Sequence, residues 1–378
     1  MNILFVEDFL KPSNGGVERV TYLISQELER RGQHCYVAFS KINDDYIPEE
    51  RKLQYSLEES KEELIDKFCN FVRQNDISVV INQQEYGDKH YSIFCALKKL
   101  GNVRLITFDH MSPETYLRSY VDYYDIKKRI RRFLQKIKYK GYTTWEHSRR
   151  RMYALSDRYA VLSQGFINSF KKLYKLHNTG KFVVIPNALT FRKSYDDVEY
   201  KKKQVFFLAR FVDIHKNVTG ALRIWKLIEE QGLEDWFFLI GGDGQDNEMI
   251  REYASQLKLK RIKFLGAVEQ PQQLYRDSQI FMMTSNFEGF GLTLTEASQD
   301  SCVPLVFDTF STCHDIIHDG KDGFIIPEGN EVLYAQRVIQ LMKDDNLRRQ
   351  MQKAAYENSK RFNIKRIVDL WEEKILSD

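Results

Sequence analysis

Short apolar runs alternate with longer amphipathic stretches from the first residues onward. Ile3-Leu4-Phe5-Val6 is apolar throughout, and the chain then turns acidic and enters the loop Lys11-Pro12-Ser13-Asn14-Gly15-Gly16. Beyond it Val17, Val20, Ile24 and Leu28 recur at helical spacing with polar residues between them. Gly32 stands where a helix C-terminal cap belongs. Tyr36-Val37-Ala38-Phe39 is the next apolar run. Strand, glycine-containing loop, helix and strand form a βαβ unit, whose strands are expected to be parallel and its crossover right-handed.

The same alternation continues. Ile77–Ile81, Val103–Phe108, Arg158–Ser163 and Phe182–Pro186 read as strands, and Tyr91–Leu100 as a helix ended by Gly101. Asn187–Lys203 is polar and irregular and reads as a linker. The pattern then restarts with a strand at Gln204–Ala209, a helix over about 217–231 and a strand at Trp236–Ile240 leading into Gly241-Gly242-Asp243-Gly244. Lys263–Leu265, Ile280–Met283 and Pro304–Phe307 follow as further strands. The last helix, over about 365–376, carries Ile367, Leu370, Trp371 and Ile375 at helical spacing. The expected fold class is α/β, with two Rossmann-like halves of parallel strands facing across a cleft lined by strand carboxyl ends.

Composition narrows the choices. With 378 residues the chain suits two domains, and 43% hydrophobic with 29% charged residues is a globular balance. No apolar run reaches the ~18 residues that span a bilayer. The first residues lack the basic flank and apolar length of a signal peptide. Five cysteines are scattered without a Cys-x-x-Cys pair, so neither a disulfide framework nor a zinc site is expected, and the cytoplasm is the expected location. A net charge of +4 does not by itself indicate a nucleic-acid binder.

Four stretches are candidates for chemistry. The first is Thr284–Ala297. Gly289 and Gly291 permit close backbone approach, and a helix starting near Leu292 would offer free N–H groups and its positive dipole end to a phosphate. Glu288 and Glu296, eight residues apart, could accept hydrogen bonds from sugar and ribose hydroxyls. The same spacing suits an ordinary strand-to-helix turn, and spacing alone leaves the two readings level. The second is Arg210 with Lys216, after the restarted half's first strand. An isolated pair reads more readily as surface cations, but its place at a strand end suits neutralisation of a departing diphosphate. The third, Gly15-Gly16, fits a tight turn as well as a phosphate loop, and it lacks the G-x-G-x-x-G dinucleotide pattern. The fourth is His110, at another strand end, positioned to hydrogen-bond a substrate hydroxyl; a lone histidine is more often structural.

Together these residues resemble the family-four retaining glycosyltransferases, which have the two-domain GT-B architecture. The resemblance covers nearly the whole chain. It rests on the Glu-x7-Glu run of Glu288 and Glu296, on Arg210 and Lys216, and on Gly15-Gly16. His110, Ile185-Pro186-Asn187, Gly242-Asp243-Gly244 and Phe264-Leu265-Gly266 extend it. The resemblance implies an acceptor-side domain over 1–190, a nucleotide-sugar domain over 191–361, and a C-terminal helix over 362–378 packed back on the first. It implies that Arg210 and Lys216 hold the donor diphosphate with backbone amides near Phe290, Gly291 and Leu292. Glu296 would bind the ribose, Glu288 the donor sugar, and the backbone near Val268 the base. His110 would orient the sugar, and Gly15-Gly16 would approach it and the phosphate. The implied reaction transfers a sugar from a nucleotide diphosphate, UDP being the expected donor, to an acceptor hydroxyl with retention of configuration. The leaving phosphate would serve as base, so no protein nucleophile, metal or cofactor is implied, and no Asp-x-Asp triplet occurs in the chain. Bacterial surface polysaccharide or glycolipid synthesis is the implied setting.

The chain departs from the family at Asp308–Asp315, where a Gly-Gly or Gly-x-Pro-Glu turn is usual, and at Asp300–Pro304. The 308–315 rim bears on acceptor or sugar choice. Separately, Lys127–Arg151 holds eleven Lys or Arg and the single acid Glu146, with Phe133, Tyr139, Tyr142 and Trp145 interleaved. A solvated helix face and contact with an anionic membrane surface or lipid-diphosphate acceptor are level readings, with nucleic acid behind both. On the membrane reading the enzyme would sit at the inner face. The expected partners are a nucleotide-sugar and a sugar or lipid-linked acceptor. Two competing functions are a degenerate, non-catalytic sugar-nucleotide binder and a GT-B-like sugar-nucleotide epimerase.

Overall fold

Strands that are apolar on both faces can be satisfied only inside a sheet covered by helices on both sides. The computed structural model builds two such sheets, describing residues 1–9, 15–41, 48–83, 86–114, 137–138, 143–195 and 198–377. The chain divides into two units. One comprises Met1–Pro113, Tyr120–Ala188 and Ile364–Asp378, and the other Glu114–Ser119 and Leu189–Asn363.

In the first unit the strands are β1 (Asn2–Phe9), β2 (His34–Lys41), β3 (Lys52–Gln54), β4 (Val79–Gln83), β5 (Arg104–Asp109), β6 (Arg158–Val161) and β7 (Phe182–Val184). They lie in the order β3-β2-β1-β4-β5-β6-β7, all pairs parallel. Helix Gly16–Arg30 turns Val20, Ile24 and Leu28 inward, as the sequence spacing predicts. The final helix Ile364–Trp371 belongs to this unit and buries Ile367, Val368 and Trp371. Trp371 lies 6.0 Å from the Phe5 ring and stacks on Phe108 at 5.4 Å. Arg31 clasps the same segment through Asp369 and Glu372, each at 2.7 Å.

The second unit carries β8 (Lys202–Leu208), β9 (Phe237–Gly241), β10 (Ile262–Gly266), β11 (Ser278–Met283), β12 (Val303–Phe307) and β13 (Phe324–Ile326), in the order β10-β9-β8-β11-β12-β13. All its pairs are parallel. Every residue of β11 and β12 is buried. One apolar core cluster lies on alternate strand positions, with Phe238, Ile240, Ile280 and Leu305 packed against Trp225 and Val338 from the helices.

The expected α/β architecture of two parallel sheets is therefore present. Two short edge strands, β3 and β13, have no counterpart in the sequence reading, because three residues are too few to display a period; β7, equally short, is legible as part of the longer apolar run Phe182–Pro186. In each sheet the strand order reverses direction once, between β1 and β4 and between β8 and β11. Crevices at the carboxyl ends of such pairs are where open α/β sheets bind ligands.

Candidate functional site

The β8/β11 switch point is where Arg210, Lys216 and Glu288 emerge. Arg210 follows β8 on a segment fixed by the Gly242-Asp243-Gly244 turn. Phe211 N–H donates to the Asp243 carbonyl (2.8 Å), and the turn presses so close that a Cβ on Gly242 would stand 1.9 Å from the Ala209 carbonyl oxygen. Gly242 also has φ +137, so glycine is required there twice over. The Arg210 side chain is exposed.

A single helical turn, Asp213–Lys216, comes next and ends at Asn217 in the left-handed region (φ +47). Asn217 is among the residue types that tolerate this conformation, and its side chain caps helix Val218–Glu229 by accepting from Gly220 N–H at 3.1 Å. The turn is pinned to the loop after β11. Thr284 Oγ1 donates to the carbonyls of Lys216 (3.2 Å) and Asn217 (2.8 Å), and Asn286 N–H donates to His215 (2.9 Å). Lys216 Nζ thus lies 2.5 Å from Glu288 Oε1, which also accepts from the Ser285 hydroxyl at 2.7 Å. His215 stands over Phe287 at 4.6 Å between ring centres. Partial burial, and then the neighbouring Lys216 charge, lower its pKa.

Helix Leu292–Gln299 starts at Gly291, in the left-handed region (φ +90) and without a side-chain cap. Its first turn therefore offers N–H groups and a positive dipole end beside Glu288, as an anion site requires. Glu296, one turn in, is buried. Its Oε1 accepts from the Thr190 hydroxyl at 2.6 Å and Oε2 from the Tyr275 hydroxyl at 3.1 Å. Val268 packs beside the end of β9, its Cγ2 2.9 Å from where a Cβ on Gly241 would stand.

The remaining candidates belong to the first unit. Gly15 is extended (φ −169) at the start of helix Gly16–Arg30, so its backbone does not demand glycine, and residues 10–14 of that loop lie outside the described residues. His110 follows β5. Its Nε2 meets Gln83 Oε1 at 2.6 Å and its ring stacks on Phe108 at 4.6 Å. Since a glutamine oxygen only accepts, the proton sits on Nε2, and Nδ1 is left as a buried acceptor with no protein partner among the described residues. Burial lowers the pKa to about 4, so the ring is neutral at pH 7.

Beside it lies a group that sequence reasoning missed. Asp109 and Arg149 are both fully buried and paired twice, Nε–Oδ2 at 2.6 Å and Nη2–Oδ1 at 3.0 Å. The guanidinium lies 3.4 Å from the centre of the Trp145 ring and 4.5 Å from that of Tyr86, and Tyr159 donates to Asp109 Oδ2 at 2.9 Å. The pairing holds Asp109 charged against its desolvation, with its pKa below the usual range. At Arg149 this departs from the solvated-face reading, one of the two that stand level for the basic stretch. Arg149 is interior, Arg150 donates to the Tyr174 carbonyl, and Arg151 pairs with Asp88 at 2.6 Å. Glu146, the stretch's only acid, completes a capping box with Thr143. Residues 127–136 and 139–142 lie outside the described residues.

All five cysteines are free. No helix among the described residues is long and apolar enough to cross a membrane.

Known proteins share this architecture. Residues 192–358 match the family described as glycosyl transferases group 1. The chain is 24% identical over 374 residues to the amylovoran biosynthesis glycosyltransferase AmsD of Erwinia amylovora, covering 96% of both chains. It is 24% identical over 280 residues to a Campylobacter jejuni α-1,4-N-acetyl-D-galactosaminyltransferase acting on a diphospho-undecaprenol-linked glycan, covering 74% of this chain and 70% of that one. Among solved structures, Anabaena Alr3699/HepE in complex with UDP superposes with a TM-score of 0.76 at 16% identity over the whole of both chains. Staphylococcus aureus TarM, solved with UDP, does so at 0.73 and 12%, again over both chains in full.

Proposed function

The chain belongs to the group 1 glycosyltransferases and has the GT-B fold, and from that premise we propose that it transfers a hexose from UDP to an acceptor hydroxyl with retention of configuration. The acceptor is a sugar or a lipid-linked glycan of a bacterial surface polysaccharide or glycolipid, reached at the inner face of the membrane. The observation that carries this reading is the Lys216–Glu288 pair beside the uncapped start of helix Leu292–Gln299. A diphosphate placed there competes with Glu288 for the ammonium, receives the first-turn N–H groups, and gains the Arg210 guanidinium. Glu288, once displaced, is free to accept from donor-sugar hydroxyls. Glu296 takes the ribose hydroxyls, and the backbone near Val268 meets the base.

In the reaction the bond from the sugar's anomeric carbon to the diphosphate breaks, and a bond to the acceptor oxygen forms on the same face. The acceptor's proton passes to the leaving phosphate oxygen. Charge accumulates on that phosphate as the bond lengthens, so the fixed cations and helix dipole act where the transition state differs from the ground state. His110 contributes a neutral ring with Nδ1 as acceptor, which suits holding a sugar hydroxyl and does not suit protonating the leaving group.

Incubation with a panel of uridine, guanosine and thymidine diphosphate sugars tests this reading. UDP and one UDP-sugar should raise the melting temperature, and NMR of the product should show the donor's anomeric configuration. Absence of stabilisation by every nucleotide would sink the donor site, and an inverted product would sink retention. For the membrane contact, replacing the basic residues between Lys127 and Lys140 by glutamine should weaken binding to anionic liposomes; undiminished binding would exclude them from it.

A further inference from the structure

The segment after β12 departs from the family pattern and brings three metal-competent side chains together. Asp308 ends the strand, its N–H fixed on the Ile326 carbonyl at 2.7 Å. Cys313 and His314 open the short helix Cys313–Ile316. His314 Nε2 lies 2.8 Å and Cys313 Sγ 3.9 Å from the same Asp308 oxygen, and one ligand atom from each residue lies within 4.8 Å of the others. Zinc-ligand distances of about 2.0–2.3 Å place neighbouring tetrahedral ligands roughly 3.3–3.8 Å apart. At 3.9 Å the cysteine and aspartate stand just outside that range, and the histidine, at 2.8 Å from the aspartate, must open by less than about 1 Å. A mixed sulfur, nitrogen and oxygen set selects the zinc class over magnesium or calcium. Cys313 approaches from the buried side, while Asp308 and His314 lie at the surface.

The residues between these ligands support the donor loop. Thr309 Oγ1 donates to the Ser285 carbonyl at 2.7 Å, and Thr312 Oγ1 to that of Phe290 at 2.9 Å and Gly289 at 3.3 Å. The Phe310 ring lies 3.3 Å from where a Cβ on Gly291 would stand. Fixing both ends of 308–314 therefore fixes the wall against which Ser285–Gly291 rests.

We propose that Asp308, Cys313 and His314 bind one divalent transition-metal ion of the zinc class, and that its occupancy stiffens the loop Ser285–Gly291. The ion acts on the loop and takes no part in sugar transfer. Binding deprotonates the Cys313 thiol and releases that proton to solvent.

Cobalt is the probe for the site, titrated into the full chain. One equivalent should produce a thiolate-to-cobalt charge-transfer band that zinc abolishes and magnesium does not. Cys313→Ser should remove the band. His314→Ala, at the surface and harmless to the core, should weaken cobalt binding about 100-fold. Absence of the band in excess cobalt, or a band undiminished in both variants, overturns the site. For the second half of the proposal, zinc should slow amide hydrogen exchange across 285–291 by about fivefold; unchanged exchange overturns the stiffening. Neither measurement involves a nucleotide, so failure here and failure of the donor assignment are separately visible.

Discussion

The end of β5 and the end of β8 both present charge at a strand carboxyl terminus, and they treat it in opposite ways. At β5 the Asp109–Arg149 pair is sealed from water, sandwiched between rings and joined by Tyr159. At β8 Arg210 is exposed, and Lys216 is held by one partly accessible contact to Glu288. A sealed pair cannot exchange partners without leaving an uncompensated charge in the interior. An open pair can exchange one anion for another at little cost, because solvent covers the intermediate arrangements. The first arrangement fixes geometry around His110, and the second can receive and release a charged ligand. The comparison predicts that substitutions at the two strand ends separate cleanly into effects on stability and effects on turnover.

The largest expected effect is at β5. Arg149→Met or Asp109→Ala leaves one buried charge unpaired and should destabilise by about 3–5 kcal/mol in urea unfolding. A loss below about 1 kcal/mol would mean that water or another group reaches the pair, and the contrast would fail. At β8, Arg210→Ala and Lys216→Ala should each lower kcat by about 100- to 1,000-fold, corresponding to about 3–4 kcal/mol of transition-state stabilisation. Their melting temperatures should stay near that of the parent. Near-normal turnover in either variant would remove that residue from the donor site.

The next prediction uses pH to probe the sealed region alone. His110 has its pKa lowered to about 4 by burial, against an ordinary 6.5. The unfolded chain therefore takes up a proton between pH 6.5 and 4 that the folded chain refuses, and stability falls as pH drops through that window. The gap corresponds to about 3 kcal/mol, complete by about pH 4. Buried His90, also at about 4, adds in the same direction. Asp300 works the other way. Burial raises it to about 7, so the folded chain retains a proton that the unfolded chain loses above 3.8, and stability falls as pH rises toward 7. His110→Gln should flatten the acid limb between pH 6.5 and 4 without changing the Asp300 limb. An unaltered acid limb in that variant would show that His110 is protonated in the folded protein.

The two regions also differed in how much the sequence revealed. Arg210, Lys216, Glu288 and Gly291 could be marked in advance because a strand, a loop and a helix start follow one another locally, and the strand end carries the residues to the switch point. The Asp109–Arg149 pair joins positions 40 residues apart, and nothing in a run of eleven cations distinguishes the one that turns inward. Helical spacing identified Trp371 as buried, but its partners Phe5 and Phe108 come from strands far away in the chain. The support of the loop Ser285–Gly291 by Thr309 and Thr312 was hidden for the same reason. Tyr275 and Thr190 gave no signal at all, since a hydroxyl acquires meaning only from the carboxylate it meets.

Those two hydroxyls set the smallest and sharpest test. Glu296 is proposed to bind ribose, yet both its oxygens already accept protein hydrogen bonds at 2.6 and 3.1 Å. A carboxylate has about four lone-pair sites, so hydroxyl donors such as these can orient the group while a ribose hydroxyl takes another site. On this account Glu296→Gln weakens UDP binding directly by removing a charge-assisted acceptor, about 1.5–3 kcal/mol in calorimetry. Thr190→Val removes only one orienting donor and should weaken binding by about 0.5–1.5 kcal/mol. If Glu296 were purely structural, both variants would instead lower the melting temperature and leave UDP affinity unchanged. The ratio of the two losses in binding therefore measures how far a buried carboxylate can serve the fold and a ligand at once, the intermediate case between the sealed pair at β5 and the open one at β8.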